Sequence, residues 1–309
     1  MRAAFITTLM QLAENDERIV FLTGDLGFSV LESFSTKFPN RFYNFGVSEQ
    51  NMTGAAAGLA LCGKKAISYS ITPFVTMRPF EQVRIDIAFQ KANVIIVGVG
   101  SGFSYGSLGP THHATEDIAL MRALPNMVVL CPGDPVEAAL ATRAAVAHDG
   151  PVYLRLGKGK EPIVHKTPPE ALVIGGSFLM RDGSDVTIIS TGDGLANAAA
   201  AAEQLAKEGI SARHISMPCV KPLDRRAVLK AADETRILIT VEEHQVNGGL
   251  GSAVAETLAE AGVGVPLLRI GVPDRFMDHA GSQQYLRRSN GLDAQSIIDR
   301  IRKALEERP

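Results

Sequence analysis

Apolar positions along this chain follow two periods that alternate. Over residues 2–14 they recur at helical spacing, and Ile19 to Leu22 then form a short apolar run that reads as a buried strand ending at Gly24 and Asp25. The exchange repeats with a small-residue helix after Glu49, a strand from Ala66 to Tyr69, a helix from Phe80 to Phe89 and the run NVIIVGVG at 93–100. The strand MVVLCP follows, then a helix over 134–147 with Asp134 as its cap and Pro135 at its first position. Strands this apolar need cover on both faces, which argues for a mostly parallel sheet wrapped by helices. From about 157 to 185 Gly, Pro and charge take over, in GKGKEPIVHKTPPEALVIGG and MRDGSD, and the chain reads as a connector. The rhythm then resumes through VTIIS, a helix over 195–207, ARHIS, a helix after Leu223-Asp224, ILITV, a helix at 249–261, PLLRI and a closing helix at 293–306. The expectation is an α/β protein of two parallel-type sheet domains, residues 1–160 and 186–309, joined by a linker over 161–185.

Composition narrows the partners. A chain of 309 residues, 46% hydrophobic, has apolar material for two cores. Its 31 basic and 33 acidic side chains leave a net charge of −2 without a long run of either sign, so neither nucleic acid nor an anionic membrane is an expected partner. Small molecules and other subunits are. Cys62, Cys131 and Cys219 are odd in number and widely spaced, which fits neither a disulfide framework nor a metal knuckle and points to a reducing, cytoplasmic setting. The opening MRAAFITTLMQLAENDERIV reads as an amphipathic helix rather than a signal peptide, and no run approaches the roughly 18 apolar residues of a membrane span.

Three places could carry chemistry. Neither Gly24-Asp25 nor Ser190-Thr191-Gly192-Asp193-Gly194 forms GxGxxG or a phosphate loop, so the second reads as a strand-to-helix turn that uses Gly for tight geometry. Glu49 begins a helix of small residues; a carboxylate there is either a first-turn acid favoured by the helix dipole or a group with work to do. His112 and His113 sit in a Gly/Pro loop, GSLGPTHH, where a histidine is either simply exposed or part of a site.

Several segments resemble one family. FGVSEQNM is similar to the stretch that carries the cofactor-activating glutamate in transketolases, deoxyxylulose phosphate synthases and oxo-acid dehydrogenase β subunits. GPTHHATEDIALMRALPN resembles the transketolase segment with its active-site histidine, and ISMPCVKPLD and VEEHQVNGGLGSAVAE resemble the family's C-terminal domain. The likeness runs from about residue 1 to 306. It covers the thiamine-diphosphate-binding pyrimidine domain and the transketolase C-terminal domain, but not the diphosphate-binding domain: after Gly192-Asp193-Gly194 the next asparagine outside the following helix is Asn247, too late for that motif.

The resemblance implies a thiamine diphosphate enzyme in two polypeptides. A partner subunit would supply the diphosphate-binding domain and hold a divalent metal, Mg or Ca, in an α2β2 assembly, this chain binding no metal itself. Glu49 would touch the cofactor's aminopyrimidine nitrogen, a role best served by a partly desolvated carboxyl. Phe74 would stack on the pyrimidine, with Phe80 as competitor and core packing as the alternative for both. Asp25 would lie beside the cofactor. His112, His113, Ser29, Lys158 and Arg155 would meet the sugar, Lys158 aligning best with a phosphate-binding arginine and a solvated basic loop being the alternative.

Two departures bear on the donor: Leu108 stands where transketolases keep an aspartate, and a second family histidine is missing near Gly100 or Ser101. A less polar donor end follows, with ordinary xylulose 5-phosphate a poor donor. The expected activity is transfer of a two-carbon ketol unit from a ketose to an aldose. A decarboxylating thiamine enzyme, of the synthase or oxo-acid dehydrogenase β kind, and a non-catalytic interaction subunit are the alternatives.

Overall fold

A computed structural model of the chain describes residues 1–27 and 30–307. Its strands are β1 (Ile19–Thr23), β2 (Phe42–Asn44), β3 (Lys65–Ile71), β4 (Val94–Val99), β5 (Val128–Leu130) and β6 (Val152–Leu156), then β7 (Phe178–Arg181), β8 (Val186–Thr191), β9 (Ala212–Ser216), β10 (Cys219–Lys221), β11 (Ile237–Gln245) and β12 (Leu267–Val272). They form two sheets, one of seven strands in the order β10-β5-β6-β4-β3-β1-β2 and one of five in the order β12-β11-β8-β9-β7. All pairings are parallel except β10 with β5 and β7 with β9.

Continuous apolar runs became strands because both faces of each sheet are covered. In β1, Ile19 and Phe21 face a core shared with Phe5 and Leu9 of the first helix, whereas Val20 and Leu22 face a second core with Met52 and Ala56. β4 divides in the same way, Ile95 and Val97 on one side, Val94 and Ile96 on the other. The second sheet repeats the arrangement, with Ile188 packed under the helices Leu195–Lys207 and Ala294–Glu306, and Ile189 and Leu238 under Arg225–Glu234 and Leu250–Glu260.

Several elements differ from the sequence expectation. The segment from Phe80 is helical only to Gln82 before it widens into a π-helix over Val83–Phe89. The connecting stretch contains β7, which closes one edge of the second sheet. YLRLGKGK begins as the buried strand β6 and not as a basic loop. β10 crosses from the C-terminal half of the sequence to the edge of the first sheet, where Cys219 pairs with Leu130. Among the described residues no helix is long and apolar enough to cross a membrane.

Candidate active site

Glu49 is the first residue of the helix Glu49–Leu61 and is 4% exposed. Its backbone carbonyl accepts from the Thr53 hydroxyl at 2.7 Å, which fixes the first turn. Its carboxylate accepts from Nη1 of Arg78 at 3.0 and 3.1 Å and from the Ser70 hydroxyl at 3.4 Å. Gly24, at the end of β1, comes so close that a Cβ there would lie 3.7 Å from Glu49 Oε1. The carboxylate thus belongs to the wall of the first sheet's C-terminal edge. It borders a cleft of about 380 Å³ lined by Val47, Ser48, Gln50 and Arg78.

Arg78 ties Glu49 to the ring cluster. It lies in the turn after the short helix Thr72–Thr76 that carries Phe74, and its guanidinium lies 3.8 Å from the centre of the Phe74 ring. The Phe74 ring meets His112 edge-on at 5.1 Å, and Tyr105 lies 6.2 Å from His112 on another side. The Lys158 ammonium stands 4.7 Å above Tyr105. Arg2, from the first helix, donates to the Lys158 carbonyl. One surface therefore runs from Glu49 through Arg78, Phe74, His112 and Tyr105 to the cations Lys158 and Arg2. Burial holds His112 below the ordinary imidazole range, with the positive charge of Arg78 acting in the same direction, so the ring is neutral at physiological pH.

The other residues singled out from sequence fall elsewhere. Asp25 is exposed, in the left-handed region at φ 55°; its carboxylate accepts from the Asn44 amide at 3.0 Å, and Asn44 Oδ1 accepts from the Asp25 and Gly46 N–H groups. It follows Gly24, the residue that approaches Glu49. Phe80 packs against the core. His113 is turned inward, its Nε2 3.3 Å from the Gly106 carbonyl and its ring edge-on to Phe103 at 5.3 Å. Ser29 lies outside the described residues.

Arg155 is 2% exposed and held inside the chain. Its Nε donates to Asp117 at 2.7 Å, and Nη2 reaches the carbonyls of Ala114 at 2.8 Å and Glu243 at 3.0 Å. Tyr153 donates to the same Asp117 at 2.5 Å. Nη1 of Arg155 faces Asp193 at 4.0 Å, so a side chain buried in this way is closed to a substrate phosphate; it props the base of the loop that holds the histidines.

Sequence reading missed Arg78, Tyr105 and Arg2. The first lies in a turn beyond the Phe74 helix, where helical spacing gives no signal. For the second, the missing histidine was the signal: Gly100 stands at φ 87°, and any side chain there would collide with the Tyr105 ring, which fills that space. No cluster of His, Cys, Asp and Glu among the described residues could hold a metal ion.

Comparison with known proteins bears on what this surface is. The family model "Transketolase, pyrimidine binding domain" matches residues 1–162, and "Transketolase, C-terminal domain" matches residues 176–297. The chain belongs to the transketolase family. It is 40% identical over 309 residues to a putative transketolase C-terminal section from Methanocaldococcus jannaschii, covering 99% of this chain and 96% of that one. It is 39% identical to a 6-deoxy-6-sulfo-D-fructose transketolase subunit from Clostridium sp., covering 100% and 95% respectively. Among solved structures it resembles a split-gene transketolase described as an inactive β4 tetramer, with a TM-score of 0.91 and 38% identity over 99% of this chain and 98% of that one. This transketolase chain carries the pyrimidine-binding and C-terminal domains, and the family depends on thiamine diphosphate.

Proposed function

We propose that this chain is one subunit of a two-polypeptide transketolase, which moves a two-carbon ketol unit from a ketose with an anionic end to an aldose once a diphosphate-binding partner completes the site. The buried Glu49 carboxylate carries the reading, because it lines an open cleft together with the polar side chains of Ser48, Gln50 and Arg78. That the similar split-gene protein is inactive as a β4 tetramer supports the need for a second kind of subunit. An α2β2 complex, with a divalent Mg or Ca ion on the partner's side, fits this division of labour.

The residues suit the cofactor's pyrimidine end. Glu49 offers a desolvated carboxyl and Phe74 an aromatic face, and Asp25 lies next to Gly24 at the pocket's edge. Arg78 covers both Glu49 and Phe74, but its side chain is 44% exposed and can swing into solvent as a ring enters. Thiamine diphosphate, when bound, supplies the nucleophilic carbon that takes up the ketol unit. Glu49 then holds a proton at the aminopyrimidine N1′ atom. Neutral His112 accepts or donates a proton at the sugar hydroxyls, while Lys158 and Arg2 attract the donor's charged end and Tyr105 closes the space beside it. Leu108, 53% exposed, gives that mouth an apolar lip.

The test is Glu49→Ala in the complex reconstituted with the partner chain. Two-carbon transfer is expected to fall about 10²- to 10⁴-fold with folding unchanged. Turnover equal to wild type would remove the basis of the proposal and favour a non-catalytic subunit.

A further inference from the structure

The loop 103–113 carries Tyr105, His112 and His113, and by sequence it belongs to the first domain. Its ends are pinned together: Gly102 and Ala114 exchange backbone hydrogen bonds of 3.0 and 2.9 Å. What lies between them rests on the second domain. Phe103 is wholly buried, and the cluster it joins is the second sheet's core, with Ile239, Met277 and Leu286. The Phe103 N–H donates to Oε1 of Glu243, on β11, at 2.6 Å. Gly102, at φ 54°, must be glycine because any side chain there would strike the Glu243 carboxylate. That carboxylate is itself fixed by Gln283 Nε2 at 2.9 Å and by Nε of Arg287. Further along, the Gly281 N–H donates to the Gly106 carbonyl at 3.1 Å, and a Cβ on Gly106 would come within 2.6 Å of both Gly281 O and Leu286 Cδ1. The Gly106 carbonyl in turn meets His113 Nε2.

We infer that the second domain is the mould of the substrate loop and that Glu243 is its positioning residue, setting where Tyr105 and His112 stand for the sugar. A carboxylate is required because one group must accept a backbone N–H in the loop and, at the same time, two side-chain donors from the helix Gln283–Ser289. The inference deepens the proposed function and rests on it for the identity of the sugar site. Two separate readouts follow: order in the loop, which needs neither partner nor cofactor, and selectivity of the kinetic defect.

The experiment uses Glu243→Ala and Glu243→Gln in the full chain. In the isolated chain, hydrogen exchange of the 103–113 amides is expected to rise about tenfold or more in the Ala variant, with exchange in β8 and β9 unchanged. In the complex with the partner, KM for the ketose donor rises about tenfold while thiamine diphosphate affinity stays at the wild-type value. Glu243→Gln keeps one oxygen for the Phe103 N–H and Gln283 but turns a donor toward Arg287, so it restores part of both. Unchanged loop exchange, a loosened loop with unchanged KM, or equal losses in donor and cofactor binding would each overturn the inference. Should the Ala variant not fold, Gly106→Ala, which pushes the loop off Gly281, is read by the same criteria. If the wild-type complex transfers no ketol unit, the proposed function has failed, and the exchange measurement alone decides whether Glu243 moulds the loop.

Discussion

Glu49 with Arg78 and Asp117 with Arg155 are both acid–arginine pairs at the C-terminal edge of the first sheet, yet they differ in which partner reaches water. Asp117 and Arg155 are 0% and 1% exposed, and Tyr153 and the carbonyls of Ala114 and Glu243 add further hydrogen bonds to the pair. Glu49 is as deeply buried, but its arginine is 44% exposed and lies on an aromatic ring. A sealed pair holds domains and loops in place, whereas a pair with one mobile, solvated partner leaves a desolvated carboxylate that a ligand can claim. Equal burial of the acid therefore says little by itself; the exposure of its counter-charge separates scaffold from site.

The contrast can be broken most directly through stability. Arg155→Met leaves Asp117 charged and unpaired in the interior and is expected to cost about 3–5 kcal/mol in urea unfolding of the isolated chain. A loss below about 1 kcal/mol would show that the sealed pair is not the scaffold described.

Next in size is a pH effect in the same sealed region. Burial, reinforced by neighbouring Glu243, raises Asp193 to about 6 from its ordinary 3.8. A carboxyl raised in the folded state contributes most below its unfolded value, and that contribution is lost as pH rises through about 6. Urea midpoints measured from pH 4 to 7 should show stability declining with a slope of up to about 1.4 kcal/mol per pH unit that Asp193→Asn removes. Identical slopes in the two proteins would contradict it.

At the open site the effects are smaller. Phe74→Ala should weaken thiamine diphosphate binding in the reconstituted complex by about 0.5–1.5 kcal/mol, followed by titration of the cofactor, with little change in melting temperature. An unchanged affinity would return Phe74 to a packing role. Arg78→Ala, smallest of all, should cost clearly less stability than Arg155→Met, because Glu49 lines an open cleft that water can enter; a loss matching that of Arg155→Met would erase the distinction between the two pairs.

Most helices and the central strands were legible because their apolar periods are local properties of the chain. Glu49 and His112 stand out in the sequence through their surrounding motifs; the burial of Glu49 is what the structure adds, and their roles are part of the proposal. Arg155 was not. YLRLGKGK carries three cations in six residues, and what turns the first into a core residue is Asp117, 38 residues away in sequence. β10 was illegible for a related reason: CVK between prolines has no strand period, and its partner Leu130 lies some ninety residues upstream. Local pattern predicts elements whose neighbours are local, and both misses come from long-range pairing.

The three residues of β10 also bear on how the gene could be cut. They add themselves antiparallel to the outer margin of β5, so the first sheet is finished by chain that comes after β9. A fragment ending in the connecting segment would present bare β5 amides and carbonyls, an invitation to stack with its own copies. Chimaeras between related proteins will keep their solubility when residues 219–221 travel with the first domain they border, and aggregate when swapped at the connector alone.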